Sequence, residues 1–128
     1  MDGWLVPAAV PAALDGANVV AVPSRLEGFG LAALEAALRA RPVVASDVGG
    51  LPEVVGGTST GVLIAAEDPD ALATALVALL SDAPRAASIG RAARERALLA
   101  FPADGPVLAY DALHRRLHEK AAACGSCT

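Results

Sequence analysis

The sequence has few aromatic residues, few cysteines and no excess of basic charge, and each shortage excludes a class of protein. Aromatic residues make up 3% of the 128 residues, so small and aliphatic side chains have to form the core. The two cysteines, Cys124 and Cys127, lie close to the end of the chain, which excludes a disulfide framework and favours a reducing, cytoplasmic location. The net charge of −4 argues against non-specific binding to nucleic acid, which requires a basic surface.

Long hydrophobic runs are also missing, since no apolar stretch reaches the roughly 18 uncharged residues of a membrane span. The amino terminus, MDGWLVPAAV, carries an acid where a signal peptide carries Lys or Arg, which argues against secretion. What the sequence has instead is apolar residues: 55% are hydrophobic and 19% are charged, a composition typical of folded chains. We therefore expect one folded domain in the cytoplasm.

Strand and helix patterns alternate along the chain. Three short apolar runs, at 18–23, 42–46 and 61–65, predict buried parallel strands. The predicted helices are a short proline-containing segment within 3–14, and 31–40, 69–80, 83–100 and 106–121. The segment DVGGLPEVVGG, between the second and third strands, is predicted to be a turn-rich loop. This order predicts an α/β fold: a Rossmann-like, three-layer α/β/α arrangement around a partial parallel sheet.

The loop after the first predicted strand is the first candidate site, because ligands of open parallel sheets bind beyond the carboxyl ends of the strands. Gly28 and Gly30 precede a helix that begins at Leu31, where backbone amides and the helix dipole favour an anion such as phosphate. The order Gly28-x-Gly30-x-x-Ala33 also fits a dinucleotide fingerprint, with Asp47 about twenty residues downstream. An ordinary strand-to-helix turn carries the same glycines, so the pattern by itself leaves these interpretations open.

Two acids flank the glycines. Glu35 borders the apolar stripe of the predicted helix, and a half-buried carboxylate there needs hydrogen-bond donors, which the hydroxyls of a ribose can supply. The alternative for Glu35 is an ion pair with Arg39, four residues on, on a solvated helix face. Glu27 lies in the loop before the helix, where its alternative interpretation is a solvated loop acid.

These residues resemble the motif of a known family. The segment PSRLEGFGLAALEAALRARPVVASDVGGLPEVV is similar to the E-x7-E motif and its continuation in GT-B glycosyltransferases of the family-4 type, with Glu27 and Glu35 as the two acids. The glycine-then-apolar strand and the helix DPDALATAL match too, so the resemblance covers most of the chain. It implies the C-terminal half-domain of a GT-B fold, with a nucleotide-sugar-binding domain at 1–121 that is incomplete at its N-terminus and a flexible tail at 122–128.

The resemblance also implies a retaining enzyme and a role for each residue of the loop. Glu35 would bind the ribose hydroxyls of the donor, and Glu27, as the catalytic residue, would contact the donor sugar near its reacting carbon. The nucleobase would lie near Gly3 and Trp4. The backbone groups of four residues would contact the sugar and the diphosphate at the helix N-terminus: Gly28, Phe29, Gly30 and Leu31. Neither a metal nor another cofactor is implied, because such enzymes polarise the leaving diphosphate electrostatically.

Parts of the family pattern are absent from this sequence. It lacks the N-terminal acceptor domain and the Arg and Lys that neutralise the diphosphate, for which Arg25 is the nearby substitute unless it is a solvated loop cation. We therefore expect a nucleotide sugar as ligand, a missing acceptor domain or a partner chain, and no nucleic acid. The apolar surface left by the missing strands predicts homo-oligomers. The location implied for the complete enzyme is cytoplasmic and peripheral at the membrane.

Two other functions stay open. The first is an NAD- or FAD-binding oxidoreductase domain built on the glycines and Asp47, although PSRLE lies where that fingerprint requires a tight turn and Glu27 would repel a pyrophosphate. The second is a non-catalytic remnant that serves as an interaction module.

Two residue pairs have the spacing of metal ligands. His114 and His118 are four residues apart on a predicted helix, and Cys124-x-x-Cys127 has the spacing of a redox or zinc pair. No further ligand residue accompanies either pair at a suitable distance. We therefore interpret HRRLH as a solvated helix face and the cysteines as part of a frayed terminus, and predict no metal site.

Overall fold

The structure is a computed structural model that describes residues 5–102 and 112–116. The chain divides into two compact units, Met1–Leu98 and Leu99–Thr128. In the second unit, residues 112–116 are helical. The remainder of the predicted helix at 106–121 lies outside the described residues, together with the boundary at 121 and four singled-out side chains: Trp4, His118, Cys124 and Cys127.

Three strands and six helical segments follow one another between residues 5 and 102. They are a 3-10 helix at Pro7–Ala9, α1 at Val10–Gly16, β1 at Val20–Val22, α2 at Leu31–Leu38, β2 at Val43–Ser46, α3 at Leu51–Val55, β3 at Val62–Ile64, α4 at Pro69–Leu80 and α5 at Ala83–Ala100. These bounds confirm the three predicted strands and the predicted helices at 31–40, 69–80 and 83–100 to within a few residues.

The prediction of a loop throughout the segment between β2 and β3 was wrong, because the helix α3 at Leu51–Val55 lies within it. Pro52 occupies the first turn of this helix, a position that proline favours. Leu51, Val54 and Val55 are buried. Five residues are too few to form a stable helix by themselves, so packing against neighbouring elements stabilises α3.

The sheet is parallel and has the order β1-β2-β3. Val20 pairs with Val43 across the first ladder, and Val44 pairs with Val62 across the second. All four residues of the central strand β2 are buried, whereas Ala21 on β1 is exposed. The parallel α/β sheet predicted from the sequence is therefore confirmed.

Helices cover both faces of the sheet. Val44 packs in a cluster with Leu79 of α4, Ile89 of α5 and Ile64 of β3. The helix α2 contacts β1 and β2, and α3 contacts β2 and β3. Connections between neighbouring parallel strands are right-handed as a rule, which puts both helices on the opposite face. This confirms the predicted three-layer α/β/α arrangement.

The helix α4 begins where the sequence predicts it. The carboxylate of Asp68 accepts a hydrogen bond from the backbone N–H of Ala71 at 2.8 Å, and Pro69 follows as the first helical residue. This side-chain cap satisfies one of the amides that a helix N-terminus leaves without an intrahelical acceptor. Asp68 therefore fixes the start of α4.

The helix α5 packs against the C-terminal ends of α2 and α3. Arg94 donates from Nε to the carbonyl oxygen of Leu38 at 3.0 Å, and Arg96 donates from Nη1 to the carbonyl oxygen of Val54 at 3.0 Å. A Cβ on Gly90 would lie 2.1 Å from the carbonyl oxygen of Ala40, so this close approach requires glycine. Cations at helix C-termini are favourable, because the carbonyls there carry partial negative charge.

None of the described helices is by itself long and apolar enough to cross a membrane. The pair α4 and α5 satisfies the length and composition together, with a bend of 103° at the break between them.

Candidate functional site

The half-buried carboxylate of Glu27 links two other residues of the loop between β1 and α2. Its Oε1 accepts a hydrogen bond from the backbone N–H of Gly30 at 3.3 Å, and its Oε2 accepts one from Ser24 Oγ at 3.5 Å. Both distances are at the long end of the hydrogen-bonding range, so each bond orients the carboxylate weakly. Carboxylate oxygens have further lone pairs, and Glu27 can accept an additional hydrogen bond from a ligand.

Gly30 is the N-cap of α2 and adopts φ +94°, a left-handed conformation that favours glycine. The first helical hydrogen bond joins the N–H of Leu34 to the carbonyl oxygen of Gly30 at 3.0 Å. The amides of Leu31, Ala32 and Ala33 therefore have no acceptor inside the helix. The structure thus forms the anion-favouring helix N-terminus that the sequence predicts.

A second loop, from Asp47 to Gly50, packs against the first through backbone atoms. A Cβ on Gly49, whose φ is +54°, would lie 1.7 Å from the carbonyl oxygen of Glu27. A Cβ on Gly50 would lie 2.7 Å from the carbonyl oxygens of both Gly28 and Phe29. The sequence places these adjacent glycines in a loop bordering the cleft, whereas the contact of that loop with the first loop is visible only in the structure.

The helix α3 is the wall behind the α2 N-terminus. A Cβ on Gly30 would lie 2.8 Å from Cδ2 of the fully buried Leu51 and 3.7 Å from Cγ2 of Val54. Leu51 would have to shift to admit a side chain at this position, and the backbone conformation of Gly30 favours glycine independently. From the sequence this segment was predicted to be a loop, because the burial of its apolar residues is visible only in the tertiary structure.

Glu35 is exposed, so its predicted half-buried position was wrong. Its predicted alternative partner, Arg39, instead pairs with Asp15 of α1, with Nη1 and Oδ2 2.6 Å apart. Glu35 lines an open groove of about 730 Å³ between α1, α2 and α5, together with Asp15, Leu38 and Arg39. No ion pair to Glu35 forms among the described residues, which leaves its carboxylate accessible to a ligand.

Arg25 points to the loop between β3 and α4. Its Nε lies 2.9 Å from Oε1 of Glu67, and the side chain is 83% exposed. The pair borders a pocket of about 380 Å³ at the carboxyl ends of all three strands, which Pro23, Ser46 and Ile64 also line. The structure therefore places Arg25 in an exposed ion pair at this edge of the sheet.

The remaining predicted contact residues are exposed around the α2 N-terminus. Gly28 is exposed, and a Cβ there would meet no atom within 4 Å. Phe29 and Leu31 are 46% and 60% exposed, large values for apolar side chains. The structure thus brings Glu27, Gly28, Phe29 and Leu31 together as one accessible surface around Gly30, which is itself buried. Between residues 5 and 102 and in 112–116, no group of three His, Cys, Asp or Glu side chains could hold a metal ion.

Comparison with known proteins identifies the family to which this sequence and fold are similar. Residues 3–96 match the family described as glycosyl transferases group 1. The chain is similar to a D-inositol 3-phosphate glycosyltransferase of Mycobacterium avium, at 52% identity over 82 residues, which cover 63% of this chain and 19% of the relative. It thus spans about one fifth of the length of the curated relatives it matches.

Solved structures share the fold. Sucrose-phosphate synthase from Thermosynechococcus elongatus superimposes with a TM-score of 0.81 and 39% identity, over 84% of this chain and 27% of that one. The Anabaena protein HepE, in complex with UDP-glucose, superimposes with a TM-score of 0.65 and 28% identity, over 70% of this chain and 25% of that one. By sequence match over most of its length and by fold, the chain belongs to the glycosyl transferases group 1 family.

Proposed function

We propose that this chain provides the donor-binding part of a retaining glycosyltransferase and binds a nucleotide-diphosphate sugar. The observation that carries the proposal is the surface at the α2 N-terminus, where the half-buried carboxylate of Glu27 lies beside backbone amides that lack intrahelical acceptors. An anionic diphosphate and a sugar hydroxyl are complementary to these two features. The UDP-glucose complex of a relative with the same fold supports this choice of ligand.

The diphosphate is the leaving group of the proposed transfer, and its negative charge grows as the bond to the sugar breaks. Amides of the first turn of α2, with the helix dipole, would stabilise that charge without a metal ion. Gly28 leaves its surroundings open, so a sugar can approach the backbone closely. Glu27, held by Ser24 and Gly30, would contact the sugar near the anomeric carbon, where an oxocarbenium-like transition state develops positive charge.

Glu35 is proposed to bind the ribose of the nucleotide. Its carboxylate is exposed and makes no ion pair among the described residues, so it can accept hydrogen bonds from a ribose diol. Arg39 is neutralised by Asp15, so it does not compete for Glu35. The two acids of the E-x7-E pattern would then divide the donor between them, with Glu27 on the sugar and Glu35 on the nucleoside.

Transfer to an acceptor requires more than this chain, in our proposal, because the family pattern places the acceptor domain and the diphosphate-neutralising cations upstream. We expect binding of UDP-glucose with a Kd of about 0.1–1 mM and no measurable transfer by this polypeptide alone. NAD is titrated as well, because binding of NAD and not of UDP-glucose would favour the dinucleotide-binding hypothesis. No binding to UDP, UDP-glucose or NAD would favour the interaction-module hypothesis instead.

The test is a titration of the ¹⁵N-labelled chain with UDP, UDP-glucose and NAD, followed by amide chemical shifts. Glu35→Gln should weaken both uridine ligands by about 1–3 kcal/mol, the cost of losing a charge-assisted hydrogen bond. Glu27→Gln should weaken UDP-glucose and leave UDP unchanged. Glu95→Gln, an exposed α5 residue with the same change in charge, is the matched control and should behave as wild type. Equal affinities for wild type and Glu35→Gln would refute the role of Glu35.

A further inference from the structure

We propose that Arg96 is a positioning residue for the loop between β1 and α2, residues 23–30, which we call the donor loop. Arg96 fixes α3 and, through α3, the backbone of Glu27 and Gly30 in this loop. The proposal rests on the proposed function for its consequence in binding, whereas its structural part can be tested without any ligand. Arg96 lies in α5, forty residues and more from the elements it would influence, and it is remote from the E-x7-E pattern in sequence.

Arg96 contacts the end of α3 in two ways. Its Nη1 donates to the carbonyl oxygen of Val54 at 3.0 Å. Its side chain also covers Gly56, the residue that ends α3 with φ +85°, because a Cβ there would lie 2.1 Å from Nε of Arg96 and 2.6 Å from its Cζ. The guanidinium therefore packs directly against the backbone that follows α3.

This contact is important because α3 is too short to be stable without tertiary contacts. A helix leaves its last four carbonyls without intrahelical donors, and α3 has only five residues, so partners outside the helix have to satisfy them. Arg96 supplies a donor to Val54, and Thr60 Oγ1 donates to the carbonyl of Val55. The positive charge of Arg96 also interacts favourably with the C-terminal end of the helix dipole.

The N-terminal end of α3 packs against the donor loop. Leu51, its first residue, packs where Gly30 has no side chain, and Gly49 and Gly50 immediately before it touch the backbone of Glu27 to Phe29. At Gly49 and Gly50 backbone faces backbone, so a change of rotamer cannot absorb a shift of α3 there. A displacement of α3 would therefore change the position of the loop itself.

The first test compares Arg96→Met and Arg96→Lys with Arg91→Met by ¹H–¹⁵N spectra of the folded variants without ligand. Arg91 is an exposed residue of the same helix whose side chain makes no hydrogen bond or ion pair to another described residue, so it controls for lost charge on α5. We expect the amide signals of Gly30, Gly49 and Gly50 to move in Arg96→Met, to move less in Arg96→Lys, which keeps a donor and the charge, and to stay in place in Arg91→Met. If Arg96→Met does not fold, the Arg96→Lys spectrum decides the question by the same three signals.

The second test measures UDP-glucose affinity of the folded variants. Coupled contacts of this kind change affinities by severalfold, so we expect Arg96→Met to bind about 3- to 10-fold more weakly and Arg96→Lys to recover part of the loss. Unmoved glycine signals would overturn the proposal, and so would a loss of stability with unchanged affinity, which is what a merely structural role produces. If wild type does not bind UDP-glucose, the proposed function fails, and the glycine signals still decide whether Arg96 positions the loop.

Discussion

Substitution of Gly49 by alanine tests the contact between the two loops of the site most directly. The new Cβ would lie 1.7 Å from the carbonyl oxygen of Glu27, whereas carbon–oxygen contacts in proteins are about 3.3–3.6 Å, so one loop has to move by about 1.5 Å or more. The target is a backbone atom, and no rotamer change can relieve the clash. The φ of +54° adds strain for a residue with a side chain.

The expected loss of stability follows from these two effects. Left-handed backbone costs about 1–2 kcal/mol for an L-residue. Forcing extra volume into a packed region costs about 1–3 kcal/mol, and alanine returns about 0.4–1 kcal/mol by restricting the unfolded chain. The net prediction for Gly49→Ala is a decrease of about 1–5 kcal/mol in the free energy of unfolding, a large fraction of the roughly 5–15 kcal/mol of a typical domain.

Urea unfolding followed by far-ultraviolet circular dichroism measures this change, with the midpoint shifted and the slope unchanged. The matched control is Gly28→Ala in the partner loop, where a Cβ meets no atom within 4 Å. That variant should keep or slightly raise the stability and should weaken UDP-glucose binding if the sugar lies against this backbone. A Gly49→Ala protein as stable as wild type, with the affinity for UDP-glucose unchanged, would refute the loop contact.

Three further substitutions test local features. Asp68→Ala removes the side-chain acceptor for the N–H of Ala71 and should lower the free energy of unfolding by about 1 kcal/mol in urea, without an effect on nucleotide binding. Ala40→Gly relieves a left-handed φ of +55° after α2 and should raise the melting temperature by a few degrees, for a gain of about 0.5–1 kcal/mol. Arg25→Gln breaks an exposed ion pair with Glu67 and should change stability by less than about 1 kcal/mol. Its UDP affinity, measured by titration, should stay at the wild-type value, and a clear weakening would restore Arg25 as a diphosphate ligand.

Local sequence patterns determined the strands, three of the helices and the N-terminus of α2. The apolar runs around Val20, Val44 and Ile64 are short and β-branched, and both the parallel sheet and its covered faces follow from them. Asp68 and Pro69 mark the start of α4 by side-chain and backbone preferences that act within one turn. Gly30 is the N-cap that the spacing of Gly28 and Gly30 predicts.

Only the tertiary structure decided the partners of the charged and apolar side chains around the site. Asp15 lies 24 residues from Arg39 and takes the place of Glu35 as its partner, and no helical periodicity contains that information. The helix α3 has too few residues for local preferences to stabilise it, so burial of Leu51 and the bond from Arg96 hold it in place. Sequence patterns act over one or two turns, whereas these contacts join segments that meet only when the sheet has formed.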